Sequence, residues 1–142
     1  MTATSHGPLW DRMDAQPRFR AADLTRAEVP EDPGVYAWYR LGRAVYVGKA
    51  DSLVDRAWAN HMGQSRTMGT SAFRRNVAEF LGYGSSADIK VKRLRLTPDE
   101  LAAVRAWILS CSVTWILCPS TAAALALESQ MKAEWMPPLT KQ

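Results

Sequence analysis

The sequence is short of the residue types that build disulfide frameworks and metal clusters. Its 142 residues include two cysteines, Cys111 and Cys118, and two histidines, His6 and His61. The cysteines form no C-x-x-C pair, and the histidines lie too far apart to suggest a zinc cluster. We therefore interpret both cysteines as small buried hydrophobic residues and exclude a disulfide-stabilised or zinc-centred fold.

Long apolar segments are also missing. No apolar run approaches the roughly 20 residues that a membrane-spanning helix needs; residues 113–118, which contain a threonine, have the length of a strand. The N-terminus has no basic segment followed by an apolar one, so it does not resemble a secretory signal. These absences predict a cytoplasmic protein with no membrane partner.

The remaining composition is that of an ordinary globular protein with a basic balance. Hydrophobic residues make up 47% of the chain and charged residues 23%, and the formal net charge is +4. A chain of this size can bury the core of one domain. The positive charge permits binding to nucleic acid but does not require it.

The most informative stretch is residues 34–56. β-Branched and aromatic residues predict strands over 35–40 and 44–49, with a break at 41–43. Asp51 or Ser52 is a suitable cap for a helix that follows directly. The strands carry Tyr36 and Tyr46. Lys49 ends the second strand, and Arg56 lies in the predicted helix.

The register of this hairpin decides whether the two tyrosines can act together. A three-residue loop pairs Trp38 with Tyr46 and places Tyr36 on the same face, whereas a two-residue loop puts the tyrosines on opposite faces. We predict the three-residue loop, or a bulge that has the same effect.

The rest of the chain predicts alternating helices and strands. Residues 1–29 are an N-terminal extension that could be an arm over the sheet or partly ordered. A helix capped by Thr70 or Ser71 should bury Phe73, Val77, Phe80 and Leu81 and keep Arg74, Arg75 and Asn76 mostly off the buried side. Alternation over 89–96 predicts a basic-faced strand, and Thr97 with Glu100 forms a capping box for a further helix. Residues 112–118 predict a buried strand, and a last helix should run from about residue 121 to about Trp135.

One carboxylate falls within the apolar stripe of that last helix. The stripe consists of Ala124, Leu127, Met131 and Trp135, and Glu128 lies among them. Burying an unpaired carboxylate is costly, so Glu128 requires a cation, a metal ion or a position at the rim. Periodicity alone leaves open that it reaches solvent or a basic partner such as Arg105.

Gly34-Val35-Tyr36 and Tyr46-Val47-Gly48, at hairpin spacing and followed by Lys49 and Arg56, resemble the GIY-YIG nuclease family, with valine in place of each isoleucine. The resemblance implies an α/β fold over residues 30–142: a small central, largely antiparallel three-stranded sheet flanked by helices, possibly with one extra strand. It also implies a metal-dependent endonuclease that hydrolyses phosphodiester bonds in nucleic acid, with DNA favoured. A weak or inactive nucleic-acid-binding domain of the same fold is the alternative, and a protein-interaction domain is a more distant one.

The resemblance assigns a role to each site residue. Glu128 would be the single protein ligand of Mg²⁺, or of Mn²⁺, and Arg56 would hold the scissile phosphate. Lys49 would add a second cation or lower the pKa of a tyrosine, and Tyr36 or Tyr46 could then act as a base. Taken singly, each residue is explained as well by sheet packing or by a solvated surface position.

Two positions depart from the family pattern. Asn60 stands where the family has Tyr or His, and His61 could substitute in proton transfer if the helix is distorted. Thr140 stands where the family often has Asn and can keep only part of its hydrogen bonding. The residues proposed to contact nucleic acid outside the site are Arg66, Arg74, Arg75, Lys92 and Arg93, with Lys90 and Arg95 beside them.

Overall fold

The fold was examined in a computed structural model, which describes residues 5–60, 71–91 and 95–140. A four-stranded sheet forms its centre. The strands are β1 (Phe19–Arg20), β2 (Gly34–Arg40), β3 (Arg43–Ala50) and β4 (Ser112–Leu117), in the spatial order β1-β4-β2-β3 with every neighbouring pair antiparallel. The predicted α/β class and antiparallel sheet are confirmed, and the short β1 is the extra strand.

The β2–β3 hairpin reaches the predicted register through a bulge. Arg40 pairs with Arg43, so the loop is the two residues Leu41 and Gly42, with φ of 54° and 79°. Two positive φ values are typical of the tight turn that suits a hairpin twist. The predicted three-residue loop is therefore wrong. A register shift between Trp38 and its neighbour restores the pairing of Trp38 with Tyr46, which confirms the bulge alternative.

Five α-helices flank the sheet. They are α1 (Pro8–Asp14), α2 (Ala72–Phe80), α3 (Ser86–Lys90), α4 (Pro98–Leu109) and α5 (Thr121–Glu134). The hydroxyl of Ser71 caps α2 by accepting from Arg74 N at 3.1 Å. Thr97 and Glu100 form the predicted capping box of α4. In the part of the chain that is described, no helix is long and apolar enough to cross a membrane.

The sheet separates two apolar clusters. Tyr36, Trp38 and Tyr46 belong to the cluster on one face, which Phe73 of α2 joins. Val35 and Val47 belong to the cluster on the other face, with Ala124 and Met131 of α5. Ala44 lies in the second cluster, although it is only two positions from Tyr46, because the bulge between them reverses the alternation of side chains.

The N-terminal segment packs against α5 on the second face. Trp10 and Met13 of α1 are fully buried there, and Trp10 Nε1 donates to Met131 O at 2.9 Å. The Glu134 carboxylate accepts from Leu9 N and Trp10 N, each at 3.1 Å, and so satisfies donors at the start of α1. The division of the chain at residue 30 stays a prediction.

Two sequence predictions about surface elements are wrong. A strand was predicted over residues 89–96, but residues 86–90 form α3, because the Ser85 hydroxyl caps this helix by accepting from Asp88 N at 3.1 Å. Residues 92–94 of the predicted strand lie outside the described residues. Phe73 and Val77 of α2 are buried as predicted, whereas Phe80 is 63% exposed.

Candidate active site

The two tyrosines of the hairpin lie side by side on one face. Their ring centroids are 6.3 Å apart with an interplanar angle of 27°. Phe73 packs against Tyr46 with centroids 4.8 Å apart, and both tyrosines are buried. A hydrogen bond joins the two phenols; it contributes to raising the pKa of Tyr36 and opposes the increase in the pKa of Tyr46.

Gly48 makes room for this arrangement. Tyr36 pairs with Gly48 across the hairpin, and its ring extends over that residue. A Cβ at Gly48 would lie 2.6 Å from Tyr36 Cζ and even closer to the hydroxyl oxygen. Because β3 is the edge strand, the absence of a side chain at Gly48 lets the Tyr36 hydroxyl reach the edge of the sheet.

Position 34 requires a glycine for a different steric reason. A Cβ there would meet the Ile116 carbonyl oxygen at 2.5 Å and Leu53 Cδ1 at 2.9 Å. The first contact is with the backbone of β4, which cannot move without disrupting the ladder. The glycine that opens β2 therefore allows close packing of two strands and the following helix.

Arg56 is supplied by a helix with an unusual winding. Residues Val54–Asn60 form a π-helix, so the predicted helix is present in a distorted form. Its start is fixed against the segment before β2, because Leu53 N donates to Asp32 O at 3.1 Å and Val54 N donates to Pro30 O at 2.9 Å. Arg56 is exposed, and its positive charge lowers the pKa of both Tyr36 and Tyr46.

Glu128 approaches the same two phenols from α5. Its side chain is only 12% exposed, and its negative charge raises the pKa of Tyr36 and of Tyr46. Of the alternatives left open by periodicity, exposure to solvent does not hold, whereas a basic partner is present and is Lys132. The structure thus brings together two phenols, one guanidinium and one carboxylate, which come from β2, β3, the π-helix and α5.

A family model for the GIY-YIG catalytic domain matches residues 34–142 of the chain. The chain belongs to the GIY-YIG family. Comparison with curated proteins gives no match, and comparison with solved structures gives none either. The GIY-YIG domain indicates a nuclease-type function. Nucleases of this family act on nucleic acid and generally depend on a divalent metal.

Both phenols of this GIY-YIG site are protonated at neutral pH. Burial is the largest cause and raises the pKa of Tyr36 well above its ordinary value of 10.0; the pKa of Tyr46 is raised as well, again mainly by burial. Arg56 opposes the increase at both residues but does not overcome it. The site therefore presents hydroxyl donors and holds no phenolate.

Lys49 does not share the face of the tyrosines. It pairs with Val35, whose side chain belongs to the opposite cluster, so the alternation of β3 directs Lys49 to that side. Among the described charged residues, Arg56, Glu128 and Arg75 shift the pKa of Tyr46, and Lys49 does not. The expectation that Lys49 lowers the pKa of a tyrosine is therefore not met.

Arg74 and Arg75 are buried, with 4% and 8% of their surface exposed, so the solvated position predicted for them is wrong. The reason is that α2 presents these two residues, and not Phe80, to the interior. Arg75 lowers the pKa of Tyr46, which makes it a second cation near the phenols, and its Nε donates to Ser86 Oγ at 3.4 Å. A contact of either arginine with nucleic acid stays a prediction.

Thr140, at the position where the family often has Asn, serves the backbone of the edge strand. Its Oγ1 accepts from Val47 N at 3.0 Å, next to Tyr46. Leu139 N donates to Val45 O at 2.9 Å, and the buried amide of Asn76 donates to Leu139 O at 2.8 Å. The C-terminal segment thus satisfies outward-facing groups of β3 and fixes the strand that carries Tyr46.

Several predicted residues cannot be placed. His61, Arg66, Lys92 and Arg93 lie outside the described residues, as does the side chain of Asn60. The distortion required for His61 to approach the site is present in residues 54–60. The role of His61 stays a prediction.

A single-carboxylate metal site fits the donors that surround Glu128. Over residues 5–60, 71–91 and 95–140, no group of three or more His, Cys, Asp or Glu could enclose a metal ion. A hard divalent cation accepts one carboxylate when phosphate oxygens and water complete its coordination. Glu128 is mostly withdrawn from water and its charge acts on the two phenols, so its carboxylate is a suitable single protein ligand.

The sequence analysis did not identify Lys132. Its Nζ lies 3.4 Å from Glu128 Oε1, one helical turn further along α5, and its side chain is 23% exposed. The signal was available, because a Glu and a Lys separated by four residues on a helix are neighbours. What the sequence did not show is that both members of the pair are largely buried.

Proposed function

We propose that this protein is a divalent-metal-dependent endonuclease that hydrolyses phosphodiester bonds in DNA. The observation that supports it is the convergence of Tyr36, Tyr46, Arg56 and Glu128, whose charges act on the same two phenols. A structural ion-pair network would not require an exposed guanidinium beside two buried hydroxyls. A site for a phosphoryl group does.

Arg56 is the residue that binds the scissile phosphate. Its guanidinium presents donors in a fork that matches two phosphoryl oxygens. The fixed start of the π-helix holds Arg56 in place, so little orientation is lost when charge accumulates on the phosphate in the transition state.

Tyr46 is the phenol that exchanges a proton or a hydrogen bond with the substrate or water. Tyr46 lies on the edge strand β3 and is hydrogen-bonded to Tyr36. Arg56, Arg75 and the hydrogen bond with Tyr36 all lower the pKa of Tyr46, so it loses a proton more readily than Tyr36 does. Tyr36 orients Tyr46 and excludes water from beneath it.

Glu128 is the residue that would hold the divalent cation. The cation supplies positive charge that stabilises the phosphoryl oxygens and the leaving oxygen. Glu128 itself is oriented by α5, whose Ala124 and Met131 are completely buried on either side of it in the helical stripe.

A plasmid assay tests the proposal. Wild-type protein is incubated with supercoiled plasmid and with branched DNA duplexes in Mg²⁺, Mn²⁺ or EDTA, beside Arg56→Ala and the matched control Arg43→Ala. Arg43 is an exposed arginine at the hairpin turn. We expect wild-type protein to nick the plasmid only with metal. Arg56→Ala should slow this nicking by about a hundredfold or more, and Arg43→Ala should nick at the wild-type rate.

Two results would contradict the proposal. Cleavage in EDTA at the wild-type rate would exclude metal dependence. DNA binding without cleavage in either metal would favour the non-cleaving binding domain, an alternative consistent with a threonine at position 140 that is already engaged by Val47.

A further inference from the structure

An ion pair occupies the carboxylate of Glu128. Lys132 Nζ lies 3.4 Å from Glu128 Oε1, and the side chains are 23% and 12% exposed, respectively. An exposed pair of this kind on a helix contributes little, but a pair withdrawn from water depends strongly on both partners. Removing the lysine charge therefore leaves the Glu128 carboxylate without this ion-pair partner.

Helix geometry keeps the two side chains on the same side of α5. Residues four apart on an α-helix differ by about 40° around the axis, so Lys132 follows Glu128 along one edge of the buried stripe. The fully buried Met131 precedes Lys132 directly and anchors this part of the helix against the sheet. Lys132 cannot move far from Glu128 without leaving the stripe edge.

A divalent cation and the Lys132 ammonium would compete for the same carboxylate. Metal coordination and the ion pair both need a lone pair of Glu128, and the two positive charges repel each other over the short distance that one carboxylate imposes. Metal binding must therefore separate the pair or weaken it.

We propose that Lys132 is a built-in counter-ion of Glu128 which a divalent cation has to displace, so that Lys132 raises the metal concentration at which the site is filled. The inference rests on the metal-binding role of Glu128 in the proposed function. It assigns to Lys132, the ion-pair partner of Glu128, the control of metal occupancy. In the absence of metal, the ammonium neutralises a carboxylate whose side chain is only 12% exposed.

Manganese binding to the full chain without DNA provides the test. Free Mn²⁺ is measured by electron paramagnetic resonance during titration of wild type, Lys132→Met and Lys132→Gln. Lys90→Met is the control for the change in net charge, because Lys90 is exposed at the end of α3. Glu128→Gln identifies the binding that belongs to the site. Methionine and glutamine both favour a helix, so these substitutions preserve α5.

We expect both Lys132 variants to lower the Mn²⁺ dissociation constant by about tenfold or more, since a repelling charge and a competing ion pair are lost together. Lys90→Met should remain within about twofold of wild type, and Glu128→Gln should lose the binding. Binding that appears only in the Lys132 variants also supports the inference, because wild type is then the blocked form.

The opposite results separate this inference from the function on which it rests. Unchanged or weaker binding in both Lys132 variants, with binding still lost in Glu128→Gln, overturns the role of Lys132 and leaves the metal role of Glu128 intact. Binding that survives Glu128→Gln, or no binding in any variant, overturns both.

Discussion

Replacing Gly48 with alanine should displace the ring of Tyr36 and stop cleavage while the domain remains folded. The added Cβ would lie 2.6 Å from Tyr36 Cζ. Carbon atoms in contact normally lie about 3.5–4.0 Å apart, so the ring has to move by roughly 1 Å. Tyr36 is 1% exposed, so its ring has to move against the neighbouring rings.

The size of the effect follows from this overlap. Overpacking a core in this way costs about 1–3 kcal/mol of unfolding free energy, which is less than the roughly 5–15 kcal/mol typical of a domain. A displacement of about 1 Å in a residue that positions a reacting group lowers the rate by roughly a hundredfold. We therefore expect a loss of cleavage far larger than the loss of folded protein.

Denaturant unfolding and single-turnover cleavage of DNA, measured on the same preparations, separate the two effects. Gly42→Ala is the matched control, because a Cβ there meets nothing within 4 Å and the cost comes only from its φ of +79°. That variant should lose about 1 kcal/mol and keep its cleavage rate.

A second substitution at Tyr36 tests whether the overlap is the cause. Gly48→Ala combined with Tyr36→Leu removes the clashing end of the ring, so the two changes should cost less together than the sum of their separate costs, by about 1 kcal/mol or more. Wild-type stability and cleavage in Gly48→Ala would refute the steric reasoning, and strict additivity would show that the ring does not lie over Gly48.

Three further predictions concern the residues that support the site. Because burial raises the pKa of Tyr36 and Tyr46, the free energy of unfolding should be constant below about pH 10 and fall above it by about 1.4 kcal/mol per pH unit for each tyrosine. Tyr46→Phe should make this decline shallower in denaturant unfolding from about pH 8 to about pH 11. An unchanged slope would contradict the raised pKa of Tyr46. Thr140→Val leaves Val47 N without its partner and should cost about 1–3 kcal/mol in chemical denaturation, with Thr140→Ser as the control that keeps the hydroxyl. Trp10→Ala removes a fully buried side chain and should cost about 3–5 kcal/mol in a thermal unfolding experiment, whereas a cost below about 1 kcal/mol would show that α1 does not belong to the folded domain.

The hairpin shows how much of the face that carries the two tyrosines could be predicted from the sequence. Strand composition and the requirement that Tyr36 and Tyr46 share a face predicted the pairing of Trp38 with Tyr46, which is confirmed. The loop length was not predictable from that requirement, because a three-residue loop and a two-residue loop with a bulge give the same register beyond the bulge. Leu41, with a φ of 54°, is not a residue that ordinarily marks such a turn.

Polar side chains were the main source of error, since their burial depends on tertiary packing and not on local pattern. Arg74 and Arg75 fall off the apolar stripe of α2, so the pattern predicts solvated positions for them, yet both are buried. The alternation after residue 88 suggested a strand, whereas the cap supplied by Ser85 stabilises a short helix. Lys132 is adjacent to Glu128 in any helix, but only packing shows that the pair is withdrawn from water.

The central claim is that Glu128 acts with Arg56 and the two phenols on one phosphoryl group. Its most direct test is the single-turnover rate of DNA cleavage in Mn²⁺ by Glu128→Gln, beside Glu31→Gln as an exposed acidic control. The account predicts a loss of about a thousandfold or more for Glu128→Gln and none for Glu31→Gln. A Glu128→Gln rate within about tenfold of wild type would contradict it.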